Sequence, residues 1–147
     1  MPYLETDIEI AKSPQEVYQL AKKFEDFPQY MPEVKNIKVL ERNERYSITE
    51  WQTEVEGTTI MWKEQEWFND RELVITYKLL DGDLDKFEGD WKFLDHNGGT
   101  KVVLGVDFNF GMPALEELML PILTIKIEEN SQGMLKALKE KMESFKN

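Results

Sequence analysis

Hydrophobic and polar residues alternate along most of the first 110 positions, a pattern typical of strands with one buried face. The first segment runs from Tyr3 to Ile10 and places Leu4, Ile8 and Ile10 on one side. Six further runs follow, separated by short turns rich in Asp, Asn and Gly. They are Val34–Arg42, Arg45–Val55, Thr58–Phe68, Leu73–Leu80, Leu84–Leu94 and Lys101–Phe110. Loops this short join strands of opposite direction, so we predict a seven-stranded antiparallel sheet.

Two short helices are predicted between the first and second strands. Ser13 is a suitable N-cap, Pro14 fits the first helical turn, and Glu16 completes a capping box. A shorter helix or turn follows around Pro28 and Pro32.

From about Pro113 to Phe145 the apolar period becomes helical, which predicts one long helix. Pro121 lies inside it and lacks the amide donor that a helix needs, so we predict a kink or break there. The apolar positions form two stripes: Leu115, Leu118, Ile122 and Ile125, then Met134, Leu138, Met142 and Phe145.

A polar stretch, residues 128–133, separates the two stripes. The first stripe continued forwards reaches Glu129, and the second continued backwards reaches Asn130. Either a polar side chain faces the interior from the helix, or the stripe drifts around a kinked helix.

One helix covers only part of a seven-stranded sheet, so a curved sheet wrapped around it leaves internal space. The 147 residues match the size of one α+β domain, 1–147. Aromatic residues make up 12% of the chain, which excludes a disordered protein. Cysteine is absent, which excludes disulfides and thiolate chemistry.

The charge of the chain limits the classes of partner that it can bind. Acidic residues outnumber basic ones 29 to 18, giving a net charge of -11 without any basic cluster. Nucleic acids and anionic membrane surfaces repel such a chain, so neither is expected as a partner. Met1 to Ile10 lacks the pattern of a signal peptide, and no apolar run approaches the roughly 20 residues of a membrane span. We therefore predict a cytoplasmic protein with no stable membrane insertion.

No metal or cofactor site is predicted. The acidic turn from Asp81 to Asp85 departs from a calcium loop, because Lys86 replaces the required Gly and Lys92 the bidentate Glu. His96 is the single histidine, which excludes a zinc site or catalytic triad of the usual composition.

Four segments in the same order resemble one superfamily across nearly the whole chain. They are IAKSPQEVY at 10–18, FPQYMP at 27–32, EGDWKF at 88–93 and GTKV at 99–102. The chain resembles the helix-grip (SRPBCC or START-like) superfamily, in particular its polyketide cyclase/dehydrase and coenzyme Q-binding branch. The resemblance implies a curved sheet around the C-terminal helix and a pocket for an apolar or aromatic molecule.

Periodicity does not decide which face of the segment 58–68 points inward, because each face carries a Trp and polar groups. The resemblance favours Ile60, Trp62, Glu64 and Glu66 over Met61, Lys63, Gln65 and Trp67. It also places Phe27, Met31, Tyr77, Phe87, Gly89 and Trp91 at the pocket. For Gly89 a bend of the strand is the simpler explanation.

Two elements complete the predicted pocket. In the last strand alternation itself selects Leu104, Val106 and Phe108 for the inner face. The first apolar helix stripe adds Leu118, Ile122 and Ile125. Each of these residues is equally compatible with a simple core position.

Glu64 and Glu66 are the sharpest chemical clue. Facing inward among aromatic rings, they would have raised pKa values, and such a carboxyl can exchange a proton with a ligand. Tyr77 and Asn130 are the other catalytic candidates. Alternatively, the two glutamates lie at a wet cavity mouth or pair with basic neighbours such as Lys63. In aromatase/cyclases the position matching Glu66 carries a substrate-holding arginine, so this chain has the opposite charge there.

Three functions follow. The first is binding or carriage of a lipid, quinone or other apolar molecule without catalysis. The second is an aromatase/cyclase or dehydratase acting on a polyketide-like chain. The third is an interaction protein like the ribosome-associated toxin relatives of this branch, which the acidic charge disfavours.

Overall fold

The computed structural model describes residues 3–32, 34–55, 57–109 and 113–144, without the side chains of 55, 58, 113–120 and 123. Within these ranges the helices are α1 (Pro14–Ala21), α2 (Phe27–Tyr30) and α3 (Pro113–Glu143), and a 3₁₀ turn covers Phe24–Asp26. The strands are β1 (Tyr3–Ile10), β2 (Val34–Arg42), β3 (Tyr46–Val55), β4 (Thr58–Asn69), β5 (Val74–Gly82), β6 (Lys86–His96) and β7 (Gly99–Asn109).

All seven strands form one antiparallel sheet in the order β1-β7-β6-β5-β4-β3-β2. Neighbours from β2 to β7 are consecutive hairpins, whereas β1 pairs with β7, from Tyr3 opposite Asp107 to Ile10 opposite Thr100. The predicted seven-stranded antiparallel sheet is confirmed, with strand bounds within two or three residues of the sequence pattern. Phe110, placed at the end of the last strand, lies outside the described residues.

Strands β6 and β7 approach each other closely at Gly89. A Cβ atom on Gly89 would lie 1.9 Å from the carbonyl oxygen of Gly105. The hydroxyl of Tyr77 donates to that same oxygen at 2.7 Å. Only a residue without a side chain permits this approach, so Gly89 lets the two strands lie this close. The bend predicted for this strand stays a prediction.

The N-terminal helices close one end of the sheet. The amide of Glu16 donates to Ser13 Oγ at 3.3 Å, and Ser13 Oγ donates to the Glu16 carboxylate at 2.9 Å. The predicted N-cap at Ser13 is therefore confirmed, whereas the second bond of a capping box, from the Ser13 amide to Glu16, stays a prediction. Phe24 and Phe27 are fully buried, with ring centroids 5.1 Å apart. The space under these helices is therefore filled by protein side chains.

Helix α3 is continuous over its 31 residues and contains Pro121. Of the two predicted alternatives at this proline, a break is therefore wrong, and a kink stays a prediction. The C-terminal half buries Leu135 and Leu138 completely, whereas Ile122 and Ile125 are more than half exposed. None of the helices in the described ranges combines the length and apolar character required to cross a membrane.

Candidate functional site

A cavity of about 130 Å³ lies between the inner face of the sheet and the middle of α3. Its sheet side is formed by Trp51, Thr53, Ile60, Trp62, Glu64, Tyr77, Phe87, Trp91, Leu104 and Val106, with Leu84 from the β5–β6 turn. Its helix side is formed by Lys126, Ile127, Asn130, Ser131 and Met134. The lining is mostly apolar, with a few polar groups, as in many small-molecule sites.

The volume of the cavity limits what it can hold. An apolar cavity of about 150 Å³ in another protein stays dry and binds one benzene molecule, whereas a water needs about 15 Å³. The cavity here is therefore large enough for a single-ring group rather than for isolated waters only.

Stacked indoles form one wall of the cavity. The rings of Trp51 and Trp62 lie 5.5 Å apart at 13°, and Phe87 packs 5.3 Å from Trp62. The cross-strand register places Trp51 opposite Trp62, so the two rings share one face of the sheet. This wall offers flat apolar surface to a ring-shaped ligand.

Two glutamates of β4 form a buried carboxyl pair beside that wall. Glu66 is fully buried and accepts hydrogen bonds from the hydroxyls of Ser47, at 2.6 Å, and Thr49. Glu64, 3% exposed, lines the cavity, accepts from Trp62 Nε1 at 2.7 Å and is hydrogen-bonded to Glu66. Glu64 is therefore the member of the pair that a ligand meets.

The surroundings of Glu64 favour its neutral form. Burial raises the pKa of Glu64 well above its ordinary value, and the charge of Glu66 and their mutual hydrogen bond raise it further. Two adjacent buried carboxyls do not both ionise readily, which favours a proton on Glu64.

Tyr77 lines the cavity with its ring, but its hydroxyl is used within the sheet. It donates to the carbonyl oxygen of Gly105 at 2.7 Å. Burial first, then the nearby acids beginning with Glu64, raises the pKa of Tyr77 well above its ordinary value. Tyr77 therefore remains a neutral phenol that positions the sheet.

Nine predicted residues lie at the cavity. They are Ile60, Trp62, Glu64, Tyr77, Phe87, Trp91, Leu104, Val106 and Asn130. The inner face of β4 is the one that the resemblance favoured, since Trp62 is 7% exposed and Trp67 on the other face 39%. Asn130 lies at the position that was reached by continuing the second apolar stripe of α3 backwards from Met134. Ligand binding by these residues stays a prediction.

Other predicted residues are placed elsewhere. Phe27, Met31 and Phe108 are fully buried in the core and do not line the cavity, and Glu66 lies behind Glu64. At Gly89 the backbone of β7 takes up the space that a side chain would need. Ile122 and Ile125 project to the surface, because the inner face of α3 runs through Ile127 and Ser131 instead. The side chain of Leu118 lies outside the described residues.

Sequence reasoning missed seven lining residues: Trp51, Thr53, Leu84, Lys126, Ile127, Ser131 and Met134. The strand residues had a usable signal, because Trp51 and Thr53 lie opposite Trp62 and Ile60 across the hairpin, and opposed residues share a face. Among the described residues, no three His, Asp or Glu side chains are grouped closely enough to hold a metal ion.

Comparison with known sequences identifies the family. The sequence model described as polyketide cyclase / dehydrase and lipid transport matches residues 10–135. The chain belongs to this family. The polyketide cyclase/dehydrase resemblance noted from the short motifs is thereby confirmed.

A curated relative shows how the chain compares with a longer family member. The chain is 31% identical over 127 residues to the actinorhodin polyketide synthase bifunctional cyclase/dehydratase of Streptomyces coelicolor, covering 83% of this chain and 38% of that protein. The chain thus spans less than half the length of this relative.

Three solved structures share the fold over nearly the whole chain. TTHA0849 from Thermus thermophilus has a TM-score of 0.93 at 29% identity, covering 97% of this chain and 98% of its own. The Zhui aromatase/cyclase from Streptomyces sp. R1128 has a TM-score of 0.88 at 18% identity, and the match covers 97% of this chain and 93% of that protein. A START superfamily protein from Mycobacterium smegmatis has 0.80 at 20%, covering 97% of each. The predicted helix-grip fold is confirmed, and the family supports a hydrophobic ligand-binding or cyclase role.

Proposed function

We propose that this protein binds an apolar, ring-containing small molecule in the cavity between the sheet and α3, without changing it chemically. The observation that carries the proposal is a cavity of about 130 Å³ lined mainly by aromatic and aliphatic side chains. Burying an apolar ligand there gains about 25 cal/mol for each Å² of apolar surface removed from water. Family membership, which includes lipid transport in its description, supports the same function.

We also propose that the chain forms a single domain. The continuous sheet, in which the first strand pairs with the last, supports one domain over residues 1–147. The cytoplasmic location stays a prediction.

Catalysis is the second candidate function, and one observation favours it. Glu64 is a buried carboxyl at the cavity wall whose pKa is raised, so it can hold a proton for transfer to a bound carbonyl or hydroxyl group. The cyclase/dehydratase named as a relative supports this interpretation. If the protein is such an enzyme, Glu64→Gln should abolish turnover of a poly-β-carbonyl substrate and retain ligand binding, because glutamine preserves the shape but cannot donate the acid proton.

Filling the cavity should remove ligand binding. Ser131 is 4% exposed and lines the helix side, so the ring in Ser131→Phe would occupy the space that a ligand needs. We expect at least a tenfold weaker affinity for toluene, measured by NMR titration, and loss of any apolar molecule that co-purifies in native mass spectrometry.

The matched control is Gln132→Phe, which adds the same ring at the next position of α3. Gln132 is exposed and does not line the cavity, so toluene binding should be unchanged. Equal affinity in the two variants, with both folded by circular dichroism, would contradict the proposed site.

A further inference from the structure

We propose that the cavity selects neutral ring-bearing ligands that carry a hydroxyl group, and that this hydroxyl donates a hydrogen bond to Glu64. The inference rests on the proposed binding function and adds the chemical class of the ligand. It follows from which hydrogen-bonding groups beside Glu64 are already used and from the charges on the two sides of the cavity.

The donors beside the carboxyl pair are already used inside the protein. The indole N–H of Trp62 donates to Glu64 Oε1 at 2.7 Å. The indole N–H of Trp51 donates to the hydroxyl of Thr49, also at 2.7 Å. The phenol of Tyr77 donates to a backbone carbonyl. A ligand that brings only an acceptor to this part of the wall would therefore displace an existing hydrogen bond or remain unpaired.

Acceptor capacity is what this part of the wall retains. A carboxyl that holds its proton has one O–H donor, which at Glu64 is used in the hydrogen bond with Glu66, and it keeps acceptor positions on its oxygens. Among the described residues, the hydrogen bonds found at Glu64 involve Trp62 and Glu66. Glu64 thus keeps lone pairs for a ligand in a setting where the negative charge of Glu66 strengthens it as an acceptor.

The charges on the two sides of the cavity favour a neutral ligand. An anionic ligand group beside Glu64 would be repelled by the charge of Glu66, because the apolar lining screens that charge only weakly. On the helix side Lys126 lines the cavity, with its Nζ 3.8 Å from Glu129 Oε2, and its positive charge opposes a cationic ligand group placed next to it. A hydroxyl group supplies the donor without bringing a charge into the apolar site.

Three probes with the same methylated ring separate these possibilities at pH 7. p-Cresol carries the donor, 4-methylanisole has it capped by a methyl group, and 4-methylbenzoate carries a negative charge. We expect p-cresol to bind at least about tenfold more tightly than 4-methylanisole, with 4-methylbenzoate weakest. Affinities come from NMR titrations that follow the indole N–H signals of Trp51 and Trp62.

Two substitutions at one position test the role of Glu64. Glu64→Gln keeps an acceptor oxygen and supplies an N–H for Glu66, so the preference for p-cresol over 4-methylanisole should persist. Glu64→Leu removes the acceptor, so the two probes should bind with equal affinity. If the leucine variant does not fold, the probe ranking on the wild-type and glutamine proteins still decides.

Each other outcome has a definite meaning. Equal binding of p-cresol and 4-methylanisole to the wild-type protein overturns the hydroxyl preference and leaves the binding function standing. Tightest binding of 4-methylbenzoate also overturns it, since the charge of the carboxyl pair would then not govern selection. If none of the probes binds and toluene does not bind either, the proposed binding function fails as well.

Discussion

Gly89→Ala should lower the free energy of unfolding by about 3 kcal/mol or more, near the upper end for single substitutions. The new Cβ would lie 1.9 Å from the carbonyl oxygen of Gly105 and 2.7 Å from its carbonyl carbon. These are backbone atoms of the neighbouring strand, so relief requires β6 and β7 to separate. Urea unfolding followed by tryptophan fluorescence measures the loss.

Gly105→Ala is the matched control, because it places the same methyl group on the facing strand. Its nearest contact is the hydroxyl of Tyr3, at 2.5 Å, and Tyr3 is 54% exposed and able to turn away. We expect a cost below about 1 kcal/mol for this variant. Similar losses for the two alanines would show that the close approach at Gly89 is not what shapes the sheet.

Glu64→Gln should raise the free energy of unfolding by at least about 1 kcal/mol at pH 8, because an amide does not ionise and one pKa unit corresponds to about 1.4 kcal/mol. In the unfolded chain this carboxyl releases its proton near its ordinary pKa of 4.5, whereas in the folded protein it holds the proton to a higher pH. Between these two values the folded state binds more protons, so stability falls as the pH rises.

Measuring the free energy of unfolding at several pH values tests whether stability falls as the pH rises. Near pH 4 both states are protonated, so wild type and Glu64→Gln should differ little, and the difference should grow as the pH increases towards 8. Glu72→Gln removes an exposed carboxyl and should leave the profile almost unchanged. A constant difference between wild type and Glu64→Gln from pH 4 to 8 would contradict the raised pKa.

The sheet could be predicted from the sequence because its signals are local. Alternation marked each strand, and the turn residues between them fixed the antiparallel order. Ser13 as N-cap, with Glu16 three residues later, located α1 for the same reason. The pairing of β1 with β7 has no local signal, since it joins segments far apart in the chain.

The site was only partly predictable, for physical reasons that differ between its two sides. On β4 both faces carry a tryptophan, and only burial in the folded sheet distinguishes Trp62 from Trp67. The partners of Glu66, Ser47 and Thr49, follow from the register of the β3–β4 hairpin rather than from any motif. Register is decided by the turn and by packing together.

On the helix side the sequence pattern predicted the wrong face of α3 for the cavity. Ile122 and Ile125 follow an apolar spacing, yet α3 turns them outward because Leu135 and Leu138 anchor its other half in the core. In a helix that continues through Pro121, the 3.6-residue period links the two halves. The side that the C-terminal half buries therefore determines which residues of the N-terminal half face the cavity.

The pairing of β1 with β7 also governs when the sheet can be completed during synthesis. Hairpins from β2 to β7 join neighbours along the chain and can form as they leave the ribosome, whereas Ile10 must wait for Thr100. Two further bonds bind this first segment to the last helix, from Lys139 to the carbonyl of Glu9 and from the amide of Ala11 to Glu143. A nascent chain that stalls before β7 therefore exposes β1 as an unpaired edge, open to association with other chains.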